Sequence, residues 1–435
     1  MILDAPAPAG YRFRQLTADD RRAVTHLDSW AFPSPADPDE IEKGPSPLTW
    51  DRVVGVEPDG EAAPDGGLAA LHASYPFSRF PVPGGTLPTA GLTWVGVHPQ
   101  HRRRGIATAM IDLHLARCRE RGEPLSALFA AEYPIYGRFG YGKAADDVRL
   151  TVPRGAALRD VPGAAEHTVR IEHADRGRHA ALVDTVHRVA GESVGGTGIN
   201  RPGWATRESA ELQASWWRDS TTFRGGQESR RIVVVERDGE PRGYALLRRK
   251  LDWVPTGTDG TVNVLEAVAL DAAASRALWG VLLDLDLMTE TKPFILAPDD
   301  PLLALLRNPR AAGQRRVDNV WIRLVDLPTA LAGRRYAAGI DATLAVTDAR
   351  LPDNAGVWHL RAAPFGAATC ERADTAPSEA DLALDVRELG AAYLGGTSLA
   401  GLAAAGLVDE RVPGALAAAS TAFGWPVAPV CSWVF

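Results

Sequence analysis

Polar and apolar side chains alternate through Tyr11-Arg-Phe-Arg-Gln-Leu16, the period of a half-buried strand. Thr17-Ala-Asp-Asp20 then has the spacing of a capping box and predicts a helix with Val24, Leu27 and Ala31 as its apolar stripe. Short β-type runs follow at 53–56, 68–73 and 92–97, separated by Pro58-Asp-Gly60 and Gly84-Gly85, which reads as an antiparallel meander. From Gly105 the period changes to 3.6, with Ile106, Met110, Leu113 and Ala116 on one face, until Gly122 ends the helix and 125–130 reads as a buried strand. The order recurs more faintly between about 168 and 300. There 232–235 and 244–247 flank an Asp238-Gly239 hairpin turn, and 265–270 followed by a helix over 271–285 corresponds to 92–97 and its helix. Strands are predicted again at 320–324, 342–347 and 358–362, with Ala/Leu-rich helices after Leu382.

Two further patterns need a decision. Residues 389–408 carry no charge over a membrane-spanning length, yet five glycines and a Gly-Gly-Thr-Ser turn suit two short helices rather than a span. The last residues, Pro426 to Phe435, are apolar and aromatic, which predicts a tail docked into the protein.

At 435 residues, with 46% hydrophobic and 23% charged side chains, the chain has material for two to four domains and is not globally disordered. The net charge of −7 disfavours nucleic acid and slightly favours cationic small molecules. Cys118, Cys370 and Cys431 form neither a disulfide framework nor a metal clip, and Met1-Ile-Leu-Asp4 lacks a basic leader. A cytoplasmic protein with no metal is expected. No His-Glu-x-x-His, Walker loop or G-x-S-x-G occurs, and Gly396-Thr-Ser-Leu-Ala400 lacks the last glycine of a hydrolase elbow.

The chemistry concentrates in Val95-Gly-Val-His-Pro-Gln-His-Arg-Arg-Arg-Gly-Ile-Ala-Thr108, a buried strand entering a helix through a basic, glycine-containing turn. In isolation Arg-Arg-Arg reads as a solvated charge run. A helix N-terminus, however, offers free N–H groups and a positive dipole end to a pyrophosphate, Gly105 permits close approach, and Arg103 and Arg104 can add charge-assisted bonds. His98 and His101 read as polar loop residues.

Arg102-x-x-Gly105-x-Ala107 after a β run resembles the acetyl-coenzyme A motif of the GCN5-related N-acetyltransferases (GNATs). Ala131-Glu-Tyr-Pro-Ile-Tyr-Gly-Arg-Phe-Gly-Tyr-Gly142 resembles the signature of their enhanced intracellular survival (Eis) branch. That resemblance implies an α+β chain of two fused GNAT-like modules followed by a sterol-carrier-protein-like α/β domain. The divisions fall at 1–155, 156–312 and 313–435. It implies acetyl-CoA as co-substrate, held by Val95, Gly96 and Val97 along the pantetheine arm, by Arg103, Arg104, Gly105, Ile106, Ala107 and Thr108 at the pyrophosphate, and by Ala131 and Glu132. Ala131 stands where the family usually has a small hydroxyl residue. The second copy lacks the basic glycine-containing entry and is expected to bind no cofactor.

Tyr136 matches the family's general acid, with Tyr133 and Tyr141 as neighbouring alternatives. A phenol near pKa 10 can protonate a departing thiolate. Phe435 matches the terminal residue whose carboxylate acts as proton acceptor. Because an α-carboxyl near 3.5 is roughly 9 kcal/mol too weak a base for an ammonium near 10, that group is expected to orient the ammonium and pass its proton through water. Asp28, Trp30, Phe32 and Trp94 are candidates for the amine acceptor, by carboxylate attraction and cation–π contact, whereas Trp204, Trp216 and Trp217 read as packing.

The resemblance implies aminoglycosides or other polycationic amines as substrates, transfer in a ternary complex, and a homohexamer. A lipid- or ligand-binding protein with an inactive GNAT module, and a protein lysine acetyltransferase, are the alternatives.

Overall fold

The computed structural model describes residues 6–33, 36–60, 67–255 and 257–435. In the first module β1 (Tyr11–Gln15) leads through a turn of 3-10 helix into α1 (Arg21–Ala31), and Asp20 closes the capping box with Thr17. After α2 (Pro38–Glu42) come β2 (Val54–Pro58), β3 (Ala70–Val82), β4 (Gly85–Val97), α3 (Ile106–Glu120), β5 (Leu125–Phe129) and β6 (Gly142–Lys143). The meander predicted from turn chemistry is present, with β3 and β4 far longer than the apolar runs suggested.

The second module receives β7 (Asp146–Arg149) and β8 (Val152–Pro153), then β9 (Thr168–His173), α4 (Arg176–Glu192), α5 (Ala210–Trp216), β10 (Arg231–Arg237), β11 (Glu240–Val254), β12 (Gly257–Ala269), α6 (Ala272–Leu282) and β13 (Glu290–Pro293). Its six-stranded sheet runs β8-β13-β12-β11-β10-β9. Asp238 and Gly239 both take positive φ, which matches the twist of the β10–β11 hairpin.

α7 (Pro301–Leu305) packs into the second module's core, β14 (Arg315–Asp318) pairs with β7, and β15 (Val320–Leu324) leads into the third domain. Then follow α8 (Leu327–Ala332), β16 (Ile340–Thr347), β17 (Gly356–Ala362), β18 (Ala368–Arg372), β19 (Leu382–Asp385), α9 (Val386–Ala392), α10 (Leu399–Ala404), β20 (Val408–Glu410) and α11 (Ala415–Phe423). Its own sheet is five-stranded. The charge-free stretch 389–408 is split between α9, α10 and the turn joining them, and among the described residues no helix is long and apolar enough to cross a membrane.

The strand expected to open the third domain does something else. β15 lies between β5 and β6, so the first sheet has the order β1-β2-β3-β4-β5-β15-β6. Fully buried Arg323 on β15 then reaches Asp348 at 2.7 Å, and that carboxylate also accepts from the backbone of Arg350 and Leu351. A buried ion pair of this kind, with its lone pairs satisfied, is costly to break from one side and so ties the third domain to the first sheet.

The first sheet's two faces have different covers. α3 covers one, where Ile111, Leu115 and Cys118 pack with Ala90, Leu92, Leu128, Tyr136 and Tyr141. α1 and the third domain cover the other, where Tyr75, Phe77, Leu125 and Ala127 join the large core that also takes Trp433 and Phe435. This two-sided arrangement positions the site.

Candidate active site

β4 and β5 pair in parallel only over Thr89↔Leu125 to Gly91↔Ala127. Beyond Gly91, β4 has no hydrogen-bonded neighbour on that side, and the two strands diverge. A bulge turns β4 as it leaves: Leu71 faces Gly96 and Ala73 faces Thr93, which leaves Trp94 and Val95 opposite His72, with Trp94 at φ 54°. A bulky residue in the left-handed region persists only where its surroundings hold it, and here it re-aims the strand end.

The gap opens into a cleft of about 640 Å³ that reaches the start of α3. Val95, Gly96, Val97, Arg103, Gly105, Ile106, Ala107, Thr108, Ala131, Glu132 and Tyr136, all expected at the site, line it together. Gly105 is the N-cap of α3 at φ +78°, with nothing within 4 Å of where a Cβ would stand, and the first intrahelical bond goes from Ala109 N to Gly105 O. The N–H groups of Ile106, Ala107 and Thr108 therefore face the cleft with no intrahelical acceptor.

Arg102 and Arg103 line the cleft, both are exposed, and neither has an ion-pair partner among the described residues. Arg104 departs from the expectation. It turns away and donates to the Tyr11 hydroxyl at 2.8 Å, and that hydroxyl also meets His101 Nδ1 at 2.9 Å. Successive residues at a helix start project in different directions, so in a run of three arginines the first two reach the cleft and the third is taken up by β1. The surface fits a diphosphate followed by an extended, hydrogen-bonding arm.

Among the three tyrosines of the aromatic loop the differences are clear. The Tyr141 hydroxyl is buried and bonded to Ser126 Oγ at 2.7 Å; Tyr133 is 56% exposed and stands edge-on to Trp321. Tyr136 lines the cleft on the α3 side, and its hydroxyl has no hydrogen-bond partner among the described residues. Burial pushes its pKa up to about 12, so it is protonated across the physiological range.

The four acceptor candidates divide. Trp30 and Phe32 line the cofactor-side cleft with Val95–Val97, and Trp30 packs edge-on to His98. Asp28 and Trp94 lie instead beside Tyr75, whose hydroxyl meets the Trp94 and Thr93 side chains and feels the Asp28 charge. Burial raises Asp28 to about 6, and no described cation offsets it. Tyr75 continues into Phe77, and Phe435 stands edge-on to Phe77 at 4.9 Å and to Phe129 at 5.1 Å. Glycine at 91 is required here, since a Cβ would collide with the Phe77 ring.

Tyr75, Phe77 and Phe129 were not singled out from the sequence, and Arg102, the first residue of the quoted motif, was not assigned to the cofactor. The first three carried a signal, alternating aromatics on one strand and an aromatic at the end of another, but their convergence on the chain's last residue is non-local.

The tail is docked as expected. Cys431 exchanges bonds with Asn319, at 2.8 Å from its N–H and 3.1 Å to its carbonyl, and the Trp433 indole donates to Ala205 O at 2.7 Å. Trp204 stacks on His187, while Trp216 lies under Arg207 and perpendicular to Trp217, which agrees with the packing role expected for them. A larger cavity of about 780 Å³ between the β3–β4 turn, α4 and the third domain contains none of the motif residues. Among the described residues no group of His, Cys, Asp or Glu is arranged to hold a metal ion.

Comparison with known proteins places this geometry. Residues 12–144 match an acetyltransferase (GNAT) domain family, 203–324 match a second GNAT domain family, and 327–432 match a sterol carrier protein domain. The second span thus ends on β15, the strand that completes the first sheet. An uncharacterized N-acetyltransferase of Streptomyces avermitilis is 40% identical over 384 residues, 87% of this chain and 88% of the relative. The N-acetyltransferase Eis of Mycobacterium tuberculosis is 34% identical over 373 residues, 83% of this chain and 86% of the relative. The crystal structure of Eis1 from Mycobacterium abscessus superposes with a TM-score of 0.78 at 28% identity, covering 98% of this chain and all of that one.

Proposed function

We infer the reaction from one premise: the chain belongs to the Eis family of GNAT N-acetyltransferases. It is an acetyltransferase with two GNAT modules and a sterol-carrier-like domain. Its proposed reaction is transfer of an acetyl group from acetyl-CoA to a primary amine by direct attack, with both substrates bound.

In this reading the diphosphate lies on the N–H groups of Ile106–Thr108 beside Arg102 and Arg103. The pantetheine arm lies along Val95–Val97 opposite Ala131 and Glu132, and backbone N–H groups near Val97 polarise the thioester carbonyl. One observation carries the proposal. Tyr136 and Phe435 flank the end of β5 from opposite faces of the sheet, so a thioester in the β4–β5 gap has a proton donor on one side and the Phe435 carboxylate on the other.

The amine adds to the carbonyl carbon, the C–S bond breaks, Tyr136 supplies the proton taken by sulfur, and the proton lost by nitrogen leaves past the Phe435 carboxylate through water. A phenol near 12 is matched to this task. The burial that raises Tyr136 also disfavours a thiolate beside it, so the departing sulfur is made more basic by the same surroundings.

Polycationic amines, aminoglycosides among them, are the proposed acceptors, supported by Asp28 beside an aromatic wall and by the net charge of −7. The family resemblance further suggests a homohexamer working in the cytoplasm. An intact acid in an open cleft argues against an inactive first module.

Asp28 provides a test. Its carboxylate is charged above pH of about 6, so KM for a diamine rises as pH falls through 6, and Asp28→Asn gives a high KM with that acid limb absent. Because burial favours the neutral form, the charged group opposes folding above pH 6, and Asp28→Asn melts at the same or a higher temperature at pH 7. Steady-state kinetics from pH 5 to 8 with parallel melting curves checks both; an acid limb that survives in Asp28→Asn assigns the pH dependence to another group.

A further inference from the structure

The second module repeats the diverging strands of the first. β12 pairs with β13 in parallel from Thr261↔Glu290 to Val264↔Pro293, and from Leu265 onward β12 has no partner on that side. What fills the gap is the chain's own tail. The cleft there is about 200 Å³, against about 640 Å³ in the first module, and Val430 and Ser432 form part of its wall.

At the α6 N-terminus, where α3 offers glycine and arginine, Asp271 caps the helix through Ala274 N and pairs with Arg242. An anionic cap repels a diphosphate. The expectation that this copy takes no cofactor therefore has a physical basis in both space and charge.

The tail is held there by a specific network. Glu266, two residues beyond the last β12–β13 pair, is buried, and its oxygens accept from Arg207 at 2.7 Å, from the Tyr244 hydroxyl at 2.7 Å and from Ser432 Oγ at 3.1 Å. With its proton given to Glu266, the Ser432 hydroxyl accepts from His187 Nε2 at 2.7 Å. Arg207 also lies 5.1 Å from the centre of the Trp433 ring.

Side chains of the tail alternate as in an extended strand. Val430 packs with Trp204, Ile295 and Ala297 of the second module, and Ser432 enters the Glu266 network. Cys431, Trp433 and Phe435 join the core behind the first module's sheet.

We propose that the second module is a clamp for the tail: Glu266, in the wall of the cleft that corresponds to the first module's cofactor site, together with His187 and Arg207 beside it, holds Ser432 and Trp433 and so fixes where the Phe435 carboxylate stands. These are positioning residues, and the inference rests on the proposed role of that carboxylate.

The test compares Ser432→Ala, Ser432→Thr and a full-length chain extended by one glycine after Phe435, with acetyl-CoA and a diamine as substrates. Ser432→Ala is expected to lose about tenfold in kcat, the scale of one buried hydrogen bond, with KM for acetyl-CoA within about twofold. Amide exchange should quicken in a peptide spanning 430–435 and stay unchanged in one spanning 106–120. Ser432→Thr, which keeps the hydroxyl, should recover most of kcat.

If Ser432→Ala is fully active while the extended chain is inactive, the carboxylate is needed and the clamp is not. Full activity in both removes the carboxylate reading and the clamp with it. A loss in Ser432→Ala alone, with the extended chain active, assigns the effect to something other than the carboxylate. A fall in kcat and melting temperature with a rise in KM for acetyl-CoA, and faster exchange in both peptides, reduces the network to general stability and also overturns the proposal.

Discussion

Tyr136→Phe is expected to lower kcat by about 10²–10³-fold while acetyl-CoA binds within about twofold of its normal affinity. The substitution removes one oxygen from a ring that packs against Tyr141 and the α3-facing core, and among the described residues that oxygen has no partner to orphan. Little stability is therefore at stake, and the melting temperature should hold. The loss falls on the chemical step, because without the phenol the sulfur leaves as a thiolate in a site dry enough to hold a tyrosine near pKa 12. A thousandfold loss corresponds to about 4 kcal/mol of barrier, within the range for general acids. Raising the leaving ability of the thiol should shrink the difference between native and Tyr136→Phe protein, so a more acidic thioester donor separates loss of an acid from loss of packing. Equal loss with both donors would move the acid elsewhere.

Adding one glycine after Phe435 should cost about 10²-fold in kcat, since one residue shifts the carboxylate by about 3.5 Å and misplacement on the ångström scale is enough for losses of this size. The aromatic ring stays in place in that variant, still edge-on to Phe77 and Phe129. Phe435→Ala makes the complementary change: the carboxylate remains and the ring contacts go. It should lose less in kcat than the extended chain and more in melting temperature, because the part of the ring buried against the large core is what it gives up. If the ordering is reversed, the last residue serves packing and the carboxylate serves nothing.

The parts of this molecule that the sequence revealed are those encoded within one turn of chain. Arg102 to Thr108 specify a basic, glycine-containing helix entry by themselves, and Gly105 adopts the positive φ expected of it. The place of Tyr136 in the cleft was legible for a similar reason, since it belongs to a compact loop. What was hidden depends on residues far apart. Nothing in Val320–Leu324 distinguishes a strand that opens the third domain from one that inserts beside β5. Tyr75, Phe77 and Phe129 become a wall only when Phe435 arrives from the end of the chain. Arg104 looks equivalent to its neighbours in sequence, and it is the Tyr11 hydroxyl, some ninety residues earlier, that takes it out of the cleft. Glu266 reads as one polar residue in an apolar strand; its meaning comes from Arg207, Tyr244 and Ser432 together.

The proposed reaction moves an acetyl group from acetyl-CoA to an amine in this cleft, with Tyr136 as the proton donor. It is tested most directly by following free thiol released from acetyl-CoA in the presence of aminoglycosides, diamines and lysine peptides, with the product mass recorded for each. Amine-dependent thiol release and acetylated product are expected for at least one polycationic small molecule, reduced about 10²–10³-fold in Tyr136→Phe. Undiminished turnover in Tyr136→Phe, or acetyl-CoA binding with no amine in the panel acetylated, would contradict it.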